Sequence, residues 1–244
     1  MSDLILSDVH GNLEALDAVL ADAEGRYDRT LCLGDLVGYG ADPNAVVDWA
    51  RSHVAAIVRG NHDKACVGLD DLEAYNAAAR AAAMWTRAAL TPQNLEYLQK
   101  LPRGPLPIQC RHGAFDLVHG SPLDEDEYLI TPGDVAPIRG YLSTSLSFFG
   151  HTHVQGGFMA AHGRLKRIAP SQALQLEPDY FYLVNPGSVG QPRDGDPRAA
   201  YALYFPDQRL VEYRRVAYDV EKAAGKIRAA GLPDSLAARL YEGA

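Results

Sequence analysis

Five short polar motifs, each closing an apolar run of strand length, constrain this chain more than anything else in it. Asp8-Val9-His10 follows the run from Leu4 to Ser7, and Gly34-Asp35 follows Thr30 to Leu33. Gly60-Asn61-His62-Asp63 follows Val54 to Val58, His119-Gly120 follows Phe115 to Val118, and Gly150-His151-Thr152-His153 follows Leu146 to Phe149. Between the first two runs, Leu13, Leu16, Val19 and Leu20 recur at helical spacing, and Pro43 opens a further segment with Val46, Val47 and Trp49. Strand, helix, strand, helix, strand implies parallel strands, whose carboxyl ends form the binding crevice of an α/β sheet. All five motifs are therefore expected at one edge of one sheet.

The residue types in those motifs specify the chemistry. Their carboxylates, amide oxygen and imidazoles suit hard or borderline divalent cations, enough for two ions, and no thiolate of the structural-zinc kind is among them. The net charge of −8 argues against a general nucleic-acid or anionic-membrane surface. An anionic substrate would have to be drawn in locally, by metal charge. No apolar run is long enough to span a bilayer and the amino terminus lacks the pattern of a signal peptide, so a soluble, cytoplasmic protein is expected. Cys32, Cys66 and Cys110 are too few and too widely spaced for a disulfide framework; Cys32 reads as core, and Cys66 as an ordinary thiol despite its place beside His62-Asp63.

With 244 residues, 47% of them apolar, and no linker-like stretch, the whole of 1–244 reads as one domain. The second half changes character. Gly156–Ala161, Arg164–Ala169, Ala173–Leu176, Tyr180–Val184, Ala199–Phe205 and Arg209–Ala217 form a strand-rich series with Gly and Pro turns, expected as a second, more antiparallel sheet packed on the first. The tail from Val220 to Leu240 is helical by pattern, broken near Gly231-Leu232-Pro233. Residues 72–101 form a helical insertion, with Thr91-Pro92 starting its second helix. It is a candidate lid over the motif edge, although Tyr75, Met84, Trp85, Leu90, Leu95, Tyr97 and Leu98 read more simply as its packing residues. His53, His112 and His162 lie outside the motifs and read as surface histidines, Arg164, Lys166 and Arg167 as a solvated strand face, and Gly11-Asn12 as a helix cap.

The ordered set Asp-x-His, Gly-Asp, Gly-Asn-His-Asp, His-Gly and Gly-His-Thr-His resembles the calcineurin-like metallophosphoesterase superfamily. The Asn185-Pro186-Gly187-Ser188-Val189-Gly190 loop makes the chain similar to that superfamily's small, single-domain bacterial and archaeal phosphodiesterases. The resemblance implies two packed mixed β-sheets flanked by helices, a four-layer α-β-β-α sandwich. It implies that Asp8, His10, Asp35 and His153 bind one metal and that Asp35, Asn61, His119 and His151 bind the other, with Asp35 bridging. The ions would be Mn2+, Fe2+/Fe3+, Zn2+, Ni2+ or Co2+, activating a water for direct in-line attack. His62 is then free to stabilise the phosphoryl group and protonate the leaving oxygen, with Asp63 orienting its imidazole.

Tyr39 and Arg193 are candidate substrate contacts. The protein serine/threonine phosphatases and dinucleoside tetraphosphatases carry Gly-Asp-x-Val-Asp-Arg-Gly at the second motif, where this chain reads Gly34-Asp35-Leu36-Val37-Gly38-Tyr39-Gly40. The clamping arginine is missing there, which favours phosphodiesters. The expected function is hydrolysis of a small phosphorylated substrate. A phosphomonoesterase, a nucleotide hydrolase or a noncatalytic binding module of the same fold are the alternatives. No stable nucleic-acid complex and no membrane association are expected, and the sequence leaves the oligomeric state open.

Overall fold

The computed structural model of the chain describes residues 2–111 and 113–244; His112 lies outside them. In chain order the first half runs β1 (Asp3–Leu6), α1 (Leu13–Ala23), β2 (Arg29–Cys32), α2 (Pro43–His53), β3 (Val54–Ile57), α3 (Asn61–Cys66), α4 (Ala77–Ala89), α5 (Pro92–Gln99), β4 (Leu106–Cys110) and β5 (Gly113–Leu117). The second half runs α6 (Pro132–Ile138), β6 (Leu146–Phe148), β7 (Gly156–Ala161), β8 (Arg164–Ile168), β9 (Ala173–Gln175), β10 (Phe181–Asn185), β11 (Ala199–Phe205), β12 (Leu210–Val216), α7 (Val220–Ala229) and α8 (Asp234–Glu242).

Two mixed sheets result, in the orders β3-β2-β1-β11-β12-β9 and β4-β5-β6-β10-β7-β8. β1, β2 and β3 are parallel, as the helical crossovers require. Two expectations need correction. β5 and β6, which carry the His119 and Gly150–His153 motifs, belong to the second sheet, where they pair in parallel with each other, and β10 pairs in parallel with β6. β9, β11 and β12, from the strand-rich half, complete the first sheet, with β11 antiparallel to β1. The motifs thus lie where the strand ends of two sheets meet, and not along the edge of one.

Side-chain alternation along the strands creates the layers. Leu4 and Leu6 face α1 and α2, while Ile5 between them joins Leu31, Phe115, Phe148 and Tyr204 in the core between the sheets. Along β10, Phe181 and Leu183 face α6 and its flanking loops, while Tyr182 and Val184 face the other sheet. Phe115, Phe148 and Tyr204 pack with ring centroids 5.2–5.5 Å apart, the favourable offset and edge geometry for aromatic groups. The order helix, sheet, sheet, helix is the expected sandwich.

The 72–101 insertion packs as a helical pair. Asn76 and Thr91 cap its two helices by accepting from Ala79 N and Asn94 N. Leu72, Tyr75, Leu90, Leu95, Tyr97 and Leu98 join the core beside α2, and Trp85 packs toward α7 and α8; Met84, expected inside, is 60% exposed. Among the described residues, no helix is long and apolar enough to cross a membrane.

Candidate metal centre

The loops that carry the motifs are stitched to one another before any side chain is considered. Asp8 N donates to Gly34 O, His10 N to Asp35 O, Gly150 N to His119 O and Gly190 N to Asp8 O, at 2.8–3.1 Å. These bonds hold a left-handed backbone at Asp8, His10, Asp35, Tyr39, His151 and His153, with φ between 50° and 64°. Residues with a Cβ resist that conformation at about 1–3 kcal/mol each, and such strain persists where the surroundings over-determine it. Here it turns five metal-type side chains and one tyrosine toward the same volume.

Asp8, His10, Asp35 and His153 form one buried cluster, and Asp35, His119 and His151 form another. Asp35 is the residue they share. Its Oδ1 accepts from His62 N at 2.8 Å, leaving Oδ2 3.5 Å from His10 Nε2 and 3.4 Å from His119 Nε2. Gly60 is required at this contact, because a Cβ there would lie 2.0 Å from Asp35 Oδ1. Asn61 adds its Oδ1 at 3.2 Å from His119 Nε2, with its amide nitrogen turned toward Tyr75 Oη.

Backbone carbonyls set the imidazole tautomers. The Nδ1–H groups of His10, His119 and His153 donate to Val37 O, Leu33 O and Gln191 O at 3.0, 2.8 and 2.6 Å, so each Nε2 lone pair points inward. His151 is reversed: its Nε2 donates to Asp126 O at 3.2 Å and frees Nδ1. His10 Nε2 and His153 Nε2 stand only 3.2 Å apart, and the buried Asp8 Oδ1 and Asp35 Oδ2 accept no hydrogen bond. Converging lone pairs and buried carboxylate oxygens without donors are costly unless a cation receives them. The donor set therefore fits divalent metal.

The electrostatics agree with that fit. Burial disfavours charge on Asp8, but His153 and His119 outweigh it and hold the carboxylate below its usual range. Asp35 is lowered in the same way, against burial, chiefly by His119 and His62. Burial pushes His151 down to about 3 and His10 well below its ordinary value. His119 is the opposite case: burial alone would depress it, yet Asp35 raises it to about 10.

His62 borders the clusters and belongs to neither. Its ring lies 4.4 Å from Tyr39 and 5.1 Å from His10, its Nδ1 is buried without a partner, and burial lowers its pKa to about 4. Gly38, at φ 90°, leaves the space the ring needs, since a Cβ would come within 2.9 Å of Nδ1. Asp63 does not orient this imidazole as expected. Its Oδ2 accepts from Asp35 N and Gly60 N at 2.9 and 3.1 Å, and its Oδ1 from Val37 N at 3.3 Å. The carboxylate is occupied in fixing the loop that presents Asp35.

Tyr39 and Arg193 meet at the rim. Arg193 Nη2 donates to Tyr39 Oη at 3.3 Å, with the guanidinium carbon 5.7 Å from the centre of the ring. The Asn185–Gly190 loop acts from behind: Asn185 Nδ2 donates to Gly150 O, and Ser188 Oγ to Asp8 O. Two aromatic wall residues were not singled out from the sequence as site residues. Tyr75 reaches Asn61 from the helical insertion, and Tyr128, from an irregular loop, packs at a tilt on His151 with ring centroids 3.9 Å apart. No motif flanks either, though Tyr75 stands in the insertion already suspected of covering the site. Cys66 is fully buried in the core. His53 and His162 are surface groups, bonded to Trp49 O and Tyr180 Oη, and Asn12 caps α1 through Ala15 N.

An α-β-β-α sandwich with a buried Asp/His centre at the strand ends is the architecture of the metallophosphoesterases, a class of phosphoric ester hydrolases. The chain belongs to the calcineurin-like phosphoesterase superfamily, whose domain model matches residues 1–208. It is 36% identical over 250 residues to an uncharacterized protein of Methanocaldococcus jannaschii, across 98% of this chain and 97% of that one. The crystal structure of a metallophosphoesterase from Sphaerobacter thermophilus superposes with a TM-score of 0.84 at 39% identity, covering 100% of this chain and 99% of the other. A hypothetical protein from Pyrococcus horikoshii shares the fold at a TM-score of 0.79 and 21% identity, over 100% of this chain and 98% of its own.

Proposed function

We propose that the protein hydrolyses phosphodiesters at a pair of divalent cations, one held by Asp8, His10, Asp35 and His153 and the other by Asp35, Asn61, His119 and His151. The observation that carries this reading is the single Asp35 Oδ2 placed between His10 Nε2 and His119 Nε2, one carboxylate oxygen common to both donor sets. Such a pair supplies Lewis acidity to the phosphoryl oxygens and lowers the pKa of an attacking water.

The side chains around it do the rest. His62 lines a cleft of about 450 Å³ shared with Tyr39, Tyr75, Asp126 and Tyr128. Its low pKa leaves it neutral until an anion arrives, and contact with phosphoryl charge then favours the protonated ring. The water oxygen bonds to phosphorus, the opposite P–O bond breaks, and His62 gives the departing oxygen its proton, yielding a monoester and an alcohol. Tyr39 and Arg193 stand where they can donate to a non-bridging oxygen.

A diester is favoured over a monoester by charge. Asp70, Asp71 and Asp126 line the cleft, and Lys64 pairs with two of them, so its wall stays negative and disfavours a dianion. The helical insertion contributes Ala74, Tyr75, Asn76 and Ala79 to that wall, which supports its reading as a lid. The test is turnover of bis(p-nitrophenyl) phosphate with added Mn2+. His62→Ala should lower kcat about 10²- to 10⁴-fold while keeping its metal content, and Asp35→Asn should lose metal. Absence of turnover in the metal-loaded protein, or a His62→Ala rate equal to the parent's, would refute the reading.

A further inference from the structure

A second cavity, of about 200 Å³, is lined by residues next in sequence to His151 and His153. Thr152, between those two histidines, is in its wall, and Tyr128 lines both this cavity and the cleft that His62 faces. Its apolar surface includes Ile130, Phe149, Val154 and Phe158, and its charged residues are Arg167 and Arg193. Neither arginine has a carboxylate partner among the described residues. Arg193 bonds only neutral side-chain oxygens, on Tyr39 and Gln191, and its Nε is buried without an acceptor. Arg193 is also tied to the centre by its backbone, since its N–H donates to His153 O at 3.2 Å. Two compartments of different character thus meet at Tyr128, an acidic cleft that His62 lines and an apolar pocket with unpaired positive charge.

We propose that this pocket receives the ester group that remains on phosphorus, and that this group is aromatic or branched aliphatic and carries a negative charge. The proposal rests on the phosphodiesterase reading above. His62 must face the departing oxygen, so the leaving group occupies the acidic cleft that His62 lines and the retained group the neighbouring pocket. Phe149, Val154 and Phe158 favour an apolar body, and the Arg167 guanidinium favours an anionic substituent, while Arg193 stays with Tyr39 beside the phosphoryl group. A monoester has no group to place there.

The experiment keeps the leaving group constant and varies the retained one. For the metal-loaded protein, kcat/KM for 4-carboxyphenyl p-nitrophenyl phosphate should exceed that for phenyl p-nitrophenyl phosphate by about tenfold. That ratio should fall to about one in Arg167→Ala and lower still in Ile130→Glu, two substitutions at partly exposed positions. A ratio of one in the parent, or one that Arg167→Ala leaves intact, overturns the pocket assignment while leaving diester hydrolysis standing. If no diester turns over, the phosphodiesterase reading fails instead, and the pocket is read directly from methyl NMR with naphthalene-2-sulfonate. Shifts at Ile130 and Val154 that vanish in Arg167→Ala support an anionic aromatic site, and their absence overturns it.

Discussion

Asp63 follows His62 in the chain yet serves a different group. Adjacent residues in a helix do not face one another, and in the first turn of α3 Asn61 and His62 turn to the cleft while Asp63 turns back to the amides of Asp35, Val37 and Gly60. Burial, with Asp35 nearby, pushes its pKa to about 7, and the Gly60 and Val37 amides oppose that rise. Asp63→Asn would set an NH2 group against an amide donor. The expected result is a loss of about 1–3 kcal/mol in urea unfolding and metal binding weaker by about 10- to 100-fold. Rescue of kcat at saturating metal would separate this loop-fixing role from a direct role in proton transfer, for which no metal concentration would restore the rate. The motif identified the residue, but only its hydrogen bonds assigned the role.

Elements with strong local signals were legible, and those without them were not. α1, α2 and α5 carry caps or an opening proline and start where expected, whereas the insertion was expected to be helical from residue 72 and α4 begins at Ala77, after the Asn76 cap. β4 was missed because Pro107 argues against a strand; it lies at the edge of its sheet, where a proline is tolerated. The tail helices α7 and α8 were foreseen as helices, but their docking was not. Lys222 and Lys226 of α7 reach Glu14 on α1 at 3.1 and 2.7 Å, and Lys226 also reaches Asp42 before α2. Burial raises the Glu14 carboxyl, but Lys226 and Lys222 outweigh it, so the folded pKa lies below the ordinary value of 4.5. The ion pair therefore stabilises the fold fully above about pH 4.5 and is lost as pH falls through the lowered folded value. Glu14→Gln should be less stable than the parent by about 0.5–1 kcal/mol at pH 7, and the difference should shrink in melts taken progressively below pH 4.5. A difference independent of pH would assign the effect to packing instead.

At the scale of the molecule, the two donor sets draw on both sheets. Asp8, His10, Asp35 and Asn61 follow strands of the first, and His119, His151 and His153 follow strands of the second. A bound cation would couple the layers as well as prepare the chemistry. At a free Mn2+ concentration about 100 times Kd, the linkage is worth about 2.7 kcal/mol, or roughly 5–10 °C in Tm for a chain of this size. Scanning calorimetry after chelation and after Mn2+ return should show that shift in the parent and not in Asp35→Asn; an equal shift in both would place the stabilising metal elsewhere. The sequence by itself determined every strand but β4, most of the helices, the donor types and the family resemblance, because periodicity, capping and short motifs are local properties. Only the tertiary structure decided that β5 and β6 sit in the second sheet, that Asp63 serves the backbone, and that Tyr75 and Tyr128 wall the site. Strand pairing and side-chain contacts between distant segments are settled by packing across the whole chain, and no local pattern encodes them.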